Sequence, residues 1–542
     1  MTTNPGRDLL VGIDAGTSVI KAVAFDLAGR QIAVASVPNH YTTKADGAAF
    51  QSLDQTWIDC AQTLRDLGAQ VEDLAKRTAA LAVTGQGDGT WLVGAENRPV
   101  GDAWLWLDAR AADTVRRLQG SPANRARFEA TGTGLAACSQ GAQIAHMAAA
   151  MPEMLDHAEV ALHCKDWLYL KLTGVRATDP SEACFTYGNF RTRCYDDVAI
   201  EALGLTPRRG LLPEIVDGTE LTHPLSPEAA AATGLLAGTP VCLAFVDIVI
   251  TALGAGIHTT DATGAACSII GSTGMHMRAV QNADVHLNDE GTGYVIALPI
   301  PGMSAQVQSN MAATLNIDWV LNLACDLLAE FGTMLSQSDR VKRIDAWLQQ
   351  GRPGAHLYHP YISDAGERGP FVDANARASF IGLTSESRYP DLLRAVVEGL
   401  GMAARDCYAA MGGAMPAELR LSGGATRSRA LRGVLGAVIG APVRISMREE
   451  AGAAGAAMMA AVALGVYPDM QACVAEWVTP LLGQIEAPDP GLVQAYARTF
   501  RGYQQARRAL EPVWEQMARQ TKAGHCPEVL PSLCADERRA AR

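Results

Sequence analysis

The stretch Leu9-Leu10-Val11-Gly12-Ile13-Asp14-Ala15-Gly16-Thr17-Ser18-Val19-Ile20-Lys21-Ala22-Val23-Ala24-Phe25-Asp26 decides the fold. An apolar run ends on a carboxylate, a Gly-Thr-Ser turn follows, and a second apolar run carries one lysine. That order predicts strand, tight turn, strand. Asp14, at a strand end, is placed to hold a metal ion or its water. Gly16 lets the backbone approach a phosphate closely. The hydroxyls of Thr17 and Ser18, with the N–H groups of the turn, can donate to phosphate oxygens. Lys21 returns on the second strand as a point cation. The same residues also make a plain hairpin. Neither a P-loop nor a convincing GxGxxG fingerprint is present, so phosphate binding needs another device.

Working outward, Gln31–Val37 reads as a third strand and Gln55–Leu67 as a helix. Ala79–Val83 is a further strand, ending in Thr84-Gly85-Gln86-Gly87-Asp88-Gly89. Strands alternating with helices predict an α/β protein. The opening recurs in the middle: Gly264–Ile270 as strand, Gly271-Ser272-Thr273-Gly274 as turn, Met275–Val280 extended. This predicts an internal duplication, with a second α/β domain starting near residue 258. Longer helical patterns follow at Ile317–Phe331, Val341–Gln350, Pro390–Met411 and Ser428–Ile439. The expected division is 1–257, 258–510, and a helix end and tail over 511–542.

Composition narrows the class. With 542 residues and 48% hydrophobic content, the chain is too apolar to be disordered and too long for one core. A net charge of −12 argues against duplex binding, which needs clustered Lys and Arg. Twelve cysteines without a CxxC pair read as reduced, mostly buried thiols of a cytoplasmic protein. His525-Cys526 and Cys534 make a poor metal set without a second cluster. The start, MTTNPGRDLL, lacks the flank and core of a signal peptide. The longest apolar run, Ala451–Val466, is too short to span a membrane and rich in Ala and Gly. It reads as a tightly packed buried helix.

Four further segments carry chemistry. Thr84-Gly85-Gln86-Gly87-Asp88-Gly89-Thr90-Trp91 is a rim poor in side chains, with Gln86 and Asp88 as polar hooks and Trp91 as a wall. It suits a polyhydroxylated ligand, or is a surface turn. Asp108 and Arg110 share a face on an extended segment and also suit a simple ion pair. Asp247 is the lone charge in Val241–Ile250, a natural general base for a hydroxyl nucleophile or a helix N-cap. Leu421-Ser422-Gly423-Gly424-Ala425-Thr426-Arg427-Ser428 is a small-residue strand-to-helix turn with room for a flat ring or a phosphate tail.

Taken in order, these segments resemble the FGGY carbohydrate kinases from about Leu9 to Val466. The most specific match is Ala378-Ser379-Phe380-Ile381-Gly382-Leu383, seven residues, then Asp391-Leu392-Leu393-Arg394-Ala395-Val396-Val397-Glu398. Gly366-Glu367-Arg368-Gly369-Pro370 is similar to the family's GER-x-P segment. Leu172-Thr173-Gly174 with Thr178-Asp179, and Gly452–Ala457, fall in the expected places. The resemblance implies two ribonuclease-H-like domains of the actin-like ATPase and hexokinase superfamily flanking a catalytic cleft. It implies ATP and Mg²⁺ as cofactors, with Asp14 serving the metal. Thr17, Ser18 and Lys21 would lie at the transferred phosphoryl group. Gly271, Ser272 and Thr273 would sit by the phosphates, and Gly423, Gly424 and Ala425 by the adenosine. Gln86, Gly87, Asp88, Trp91, Asp108 and Arg110 would belong to the substrate region, and Asp247 would be the base.

The chain departs from the family pattern beside Asp247, where Phe245-Val246 and Ile248 are its neighbours. Gln143-Ile144-Ala145-His146 stands in place of a Lys-x-x-Trp. The position often aromatic in glycerol kinases falls at Cys138 or a neighbour. Gly87-Asp88 replaces the Arg-Glu pair of glycerol kinases, and the Met-His-Gly of xylulokinases is absent. The pattern is most similar to family members acting on erythritol. It implies phosphorylation of a terminal hydroxyl of a four-carbon polyol. The alternatives are a ketopentose (L-xylulose, ribulose or xylulose), a sugar-sensing pseudokinase, or an actin-like nucleotide-switched binding protein. The expected partners are the small-molecule substrate and ATP, with no nucleic acid and no membrane, and with a homodimer left open.

Overall fold

The computed structural model describes residues 6–259 and 264–522. The tail bearing His525, Cys526 and Cys534 lies outside the described residues. Two mixed six-stranded sheets form the frame of a two-domain α/β structure. The first contains β1 (Leu9–Ala15), β2 (Val19–Asp26), β3 (Gln31–Pro38), β4 (Thr78–Gly85), β5 (Thr222–Pro224) and β6 (Pro240–Leu243), in the order β5-β6-β4-β1-β2-β3. β1, β2 and β3 form an antiparallel meander, while β4 and β6 run parallel to β1. The central β4 is buried at every residue, which explains its unbroken apolar run. Its register sets Asp14 beside Thr84 on one side and opposite Lys21 on the other.

The second sheet contains β7 (Ala265–Ile270), β8 (Gly274–Gln281), β9 (Tyr294–Ala297), β10 (Met303–Asn310), β11 (Glu418–Ser422) and β12 (Val443–Ile445), in the order β9-β10-β8-β7-β11-β12. Its antiparallel β7-β8-β10 and parallel β7-β11-β12 repeat the plan of the first sheet, with β9 added at one edge. The turn after β7 therefore stands where the turn after β1 stands.

The main helices are α1 (Leu53–Gly68), α2 (Cys164–Thr173), α3 (Pro180–Thr186), α4 (Asp247–Gly254), α5 (Tyr389–Ala410), α6 (Arg429–Ile439) and α7 (Ala451–Ala463). Ser52 caps α1 by accepting the Gln55 N–H, and Leu53, Cys60, Leu64 and Leu67 bury its inner face. α7 is buried along its length from Ala451 to Ala461 and packs on β1, β4 and α4. Its approach depends on missing side chains: a Cβ on Gly12 would run into the Ala453 carbonyl, and one on Gly452 into the Asp14 carboxylate. α7 shares one core with Leu10, Val23 and Phe25 of the first sheet and Cys267, Met277 and Val307 of the second. Among the described residues, no helix is long and apolar enough to cross a membrane. The cysteines of this region form no disulfide, and most are buried.

The signature segment around α5 holds the second domain together. Asp391 accepts the Arg388 N–H at 3.0 Å and pairs with Arg352 at 3.1 Å. Glu398 accepts from Arg394 at 2.8 Å and from the Tyr496 hydroxyl at 2.5 Å.

Candidate active site

The hairpin turn after β1 is fixed by a ring of side-chain hydrogen bonds. Thr17 donates to Gln86 Oε1 at 2.8 Å and accepts from Trp106 Nε1 at 2.8 Å. Gln86 donates to Gln51 at 2.8 Å, Gln51 donates to Asn39, and Asn39 donates to the Gly16 carbonyl at 2.9 Å. The Thr17 hydroxyl and both ends of the Gln86 amide are thus engaged within the protein. Their geometric effect is to lock the turn. Ser18 remains exposed at its tip.

The turn after β7 is tied down differently. The Gly271 carbonyl accepts the Thr314 N–H at 3.0 Å, and the Ser272 carbonyl accepts the Ala313 N–H at 2.7 Å. Thr17 from the first turn and Thr273 from the second line one cavity of about 230 Å³ between the domains. Gln86, Gly87, Asp88 and Asp247 line it too.

The carboxylates here are unusual. Burial pushes the Asp14 carboxyl up to about 6, against the pull of Lys21 and with a push from Glu450. Lys21 itself is paired: its ammonium lies 2.8 Å and 3.1 Å from the Glu450 oxygens. Asp247 is the first residue of α4, after β6. Burial, then the nearby Asp14 and Glu182 carboxylates, push it well above the usual carboxylate range, while the Ile248 N–H lowers it. Burial likewise pushes Asp88 up to about 6, against Cys138, His163 and Arg368. The Cys138 thiol donates to Asp88 at 3.4 Å.

Other expected residues fall elsewhere. Trp91 is fully buried in the core of the first domain and does not line the cavity. Asp108 and Arg110 do not line it either. They form an ion pair at 2.6 Å, Asp108 accepts the Ala49 N–H at 2.9 Å, and Arg110 stacks on Trp104. Gly423 follows β11, and Gly424 and Ala425 fall in the short turn Gly424–Arg427 before α6, outside this cavity.

Among the cavity residues that carried no role in the sequence reading are Trp106, Glu182 and Arg368. Arg368 sits in the GER-x-P match, so its place was marked while its side chain was not. Glu182 follows the Asp179-Pro180 start of α3, a signal that reads first as helix capping.

The donor set fits a magnesium ion bound mostly through phosphate. Mg²⁺ takes one or two carboxylates and completes its shell with water and substrate oxygens. Asp14 and Asp247 supply two neighbouring carboxylates that repel each other. Among the described residues, no group of three or more His, Cys, Asp or Glu forms a metal cluster.

The FGGY carbohydrate kinase N-terminal domain model matches residues 9–254, and the C-terminal domain model matches residues 266–464. The chain belongs to the FGGY family of carbohydrate kinases. Within this family it is 68% identical to the erythritol kinase of Brucella abortus (strain 2308), over 94% of this chain and 98% of that one. It is 28% identical to the xylulose kinase of Escherichia coli (strain K12), over 94% and 99%. The fold matches a gluconate kinase from Lactobacillus acidophilus with a TM-score of 0.84 at 20% identity, covering 94% of this chain and 99% of that one. A Plasmodium falciparum glycerol kinase solved with ADP matches with a TM-score of 0.78 at 17% identity, covering 92% and 98%. The FGGY chain is thus a carbohydrate or polyol kinase.

Proposed function

We propose that this FGGY kinase is a cytoplasmic enzyme that transfers the γ-phosphoryl group of ATP to a terminal hydroxyl of erythritol, with Mg²⁺ as cofactor. The carrying observation is the 68% identity to the Brucella abortus erythritol kinase across nearly both whole chains. The ketopentose alternative rests on relatives at 28% and below.

The cavity supports the reading. At about 230 Å³ it is sized for a small polyol. Asp247 faces it from the N-terminus of α4, whose dipole favours the charged carboxylate. In the reaction, Asp247 accepts the proton as the substrate oxygen bonds to phosphorus and the bond to ADP breaks. The two hairpin turns border the phosphoryl path, with Lys21 as a nearby cation. Gly423, Gly424 and Ala425 border the adenosine. When bound, Mg²⁺ would neutralise phosphate charge and lessen the carboxylate repulsion that adds to burial in raising Asp247. Packing of the two domains around the cavity keeps water from competing as acceptor.

The test is an ADP-release assay with erythritol, threitol, glycerol, xylulose and ribulose. The highest kcat/KM is expected with erythritol. Preference for a ketopentose, or ATP turnover indifferent to polyol, overturns the reading.

A further inference from the structure

Three residues that line the cavity each carry a buried polar atom with no hydrogen-bond partner: Asp88 Oδ1, Glu182 Oε1 and Arg368 Nε. A buried polar atom without a partner is destabilising, so such a cluster calls for another group to satisfy it. We infer that Glu182 and Arg368 are specificity-determining residues, which hydrogen-bond the polyol's hydroxyls from opposite domains. This inference rests on the polyol reading and adds to it the groups that recognise the substrate away from the reacting oxygen.

The surroundings of Glu182 hold it in place. The residue is 1% exposed. Its second oxygen lies 3.4 Å from His163 Nε2, His163 Nδ1 lies 3.1 Å from Asp166, and Lys165 pairs with Asp166 and Asp179. On the other side, a Cβ on Gly87 would press on Glu182 Oε1 at 3.0 Å and on Val246. The missing side chain at 87 is what gives the carboxylate its space.

Arg368 arrives on a pinned loop. Glu367 accepts the N–H groups of Met311 and Arg368, both at 2.8 Å, and Asn310 donates to the Gly369 carbonyl at 2.8 Å. A hydroxyl both donates and accepts, so a polyol can donate a hydrogen bond to Glu182 and accept one from Arg368. Both bonds are charge-assisted, and a substrate lacking the matching hydroxyl leaves the orphan atoms unmet.

The test measures kcat/KM and calorimetric binding for erythritol and its monodeoxy analogues with wild type, Glu182→Gln and Arg368→Met. Melting temperatures establish that each variant is folded. Each variant is expected to lower kcat/KM for erythritol by about tenfold or more, carried mainly by KM. For the analogue lacking the recognised hydroxyl, wild type and variant should agree within about threefold. Equal losses on every analogue, or variants within about twofold of wild type on erythritol, overturn the inference. A wild type that binds polyols without phosphorylating them overturns the function and still decides this point by binding. A wild type that binds none overturns both.

Discussion

The Lys21 ammonium lies 2.8 Å from the Glu450 carboxylate, across 429 residues of chain and from one domain to the other. The pair is part-exposed, at 35% and 18% for the two side chains, so its own stabilising effect is small. Its position beside Asp14 matters more. In the proposed reaction Lys21 is the nearby cation, and an incoming phosphate would displace Glu450 from it. Lys21→Met is expected to lower kcat by about 10²- to 10³-fold. Glu450→Gln should cost less than about tenfold, because Lys21 stays to meet the phosphate. Equal losses in the two variants, read by steady-state kinetics, would mark the pair as a structural strut instead.

Asp247→Asn keeps the shape of the site and removes the proton acceptor. The expected loss is about 10²- to 10⁴-fold in kcat, with polyol binding by calorimetry changed only a few-fold. Full turnover in this variant would remove Asp247 from the mechanism.

Gly87→Ala adds a single methyl group against Val246 and Glu182. The expected result is a rise in KM for the polyol of about tenfold, from displacement of Glu182. An unchanged KM would show that the carboxylate can move freely.

Stability should depend on pH through the same carboxylate. Burial pushes Glu182 up to about 7 from 4.5, against the pull of His163 and Lys165 and with a push from Asp88 and Asp179. A raised acid keeps its proton in the folded state where the unfolded chain has lost it. Its contribution is therefore most favourable below about 4.5 and is lost as pH rises through about 7. Glu182→Gln removes this dependence. In thermal melts without ligand, the variant should gain on wild type between pH 5 and pH 8. Parallel melting curves across that range would contradict the assignment.

Much of the fold was legible because strand and helix periods are local. The hairpin at Asp14–Lys21, the repeated opening at Gly264–Val280 and the helices near 317, 341, 390 and 428 all match observed elements within a few residues. The Ala451 run was legible as a buried helix because only close packing explains so few large side chains. The cavity lining was legible where a motif marks the residue itself, as for Asp247 and Asp88. It was not legible where the role depends on which face the fold turns inward. Trp91 and Asp108 sit near the motif yet point into packing, while Glu182 and Arg368 are distant in sequence and line one cavity only when both domains form. Thr17 and Gln86 read as free hooks and instead satisfy each other, a long-range pairing no local pattern reveals.

The contact between α7 and the first sheet shapes how this protein tolerates change. A side chain at Gly452 would run into Asp14, and one at Gly12 into the backbone at Ala453. A mutational scan would therefore find its most intolerant stripe among the smallest residues, not the polar ones. Drift along that stripe reaches the Asp14 carboxylate without altering any polar side chain of the cavity. Inactivating variants far from the substrate in sequence are to be sought first on this helix.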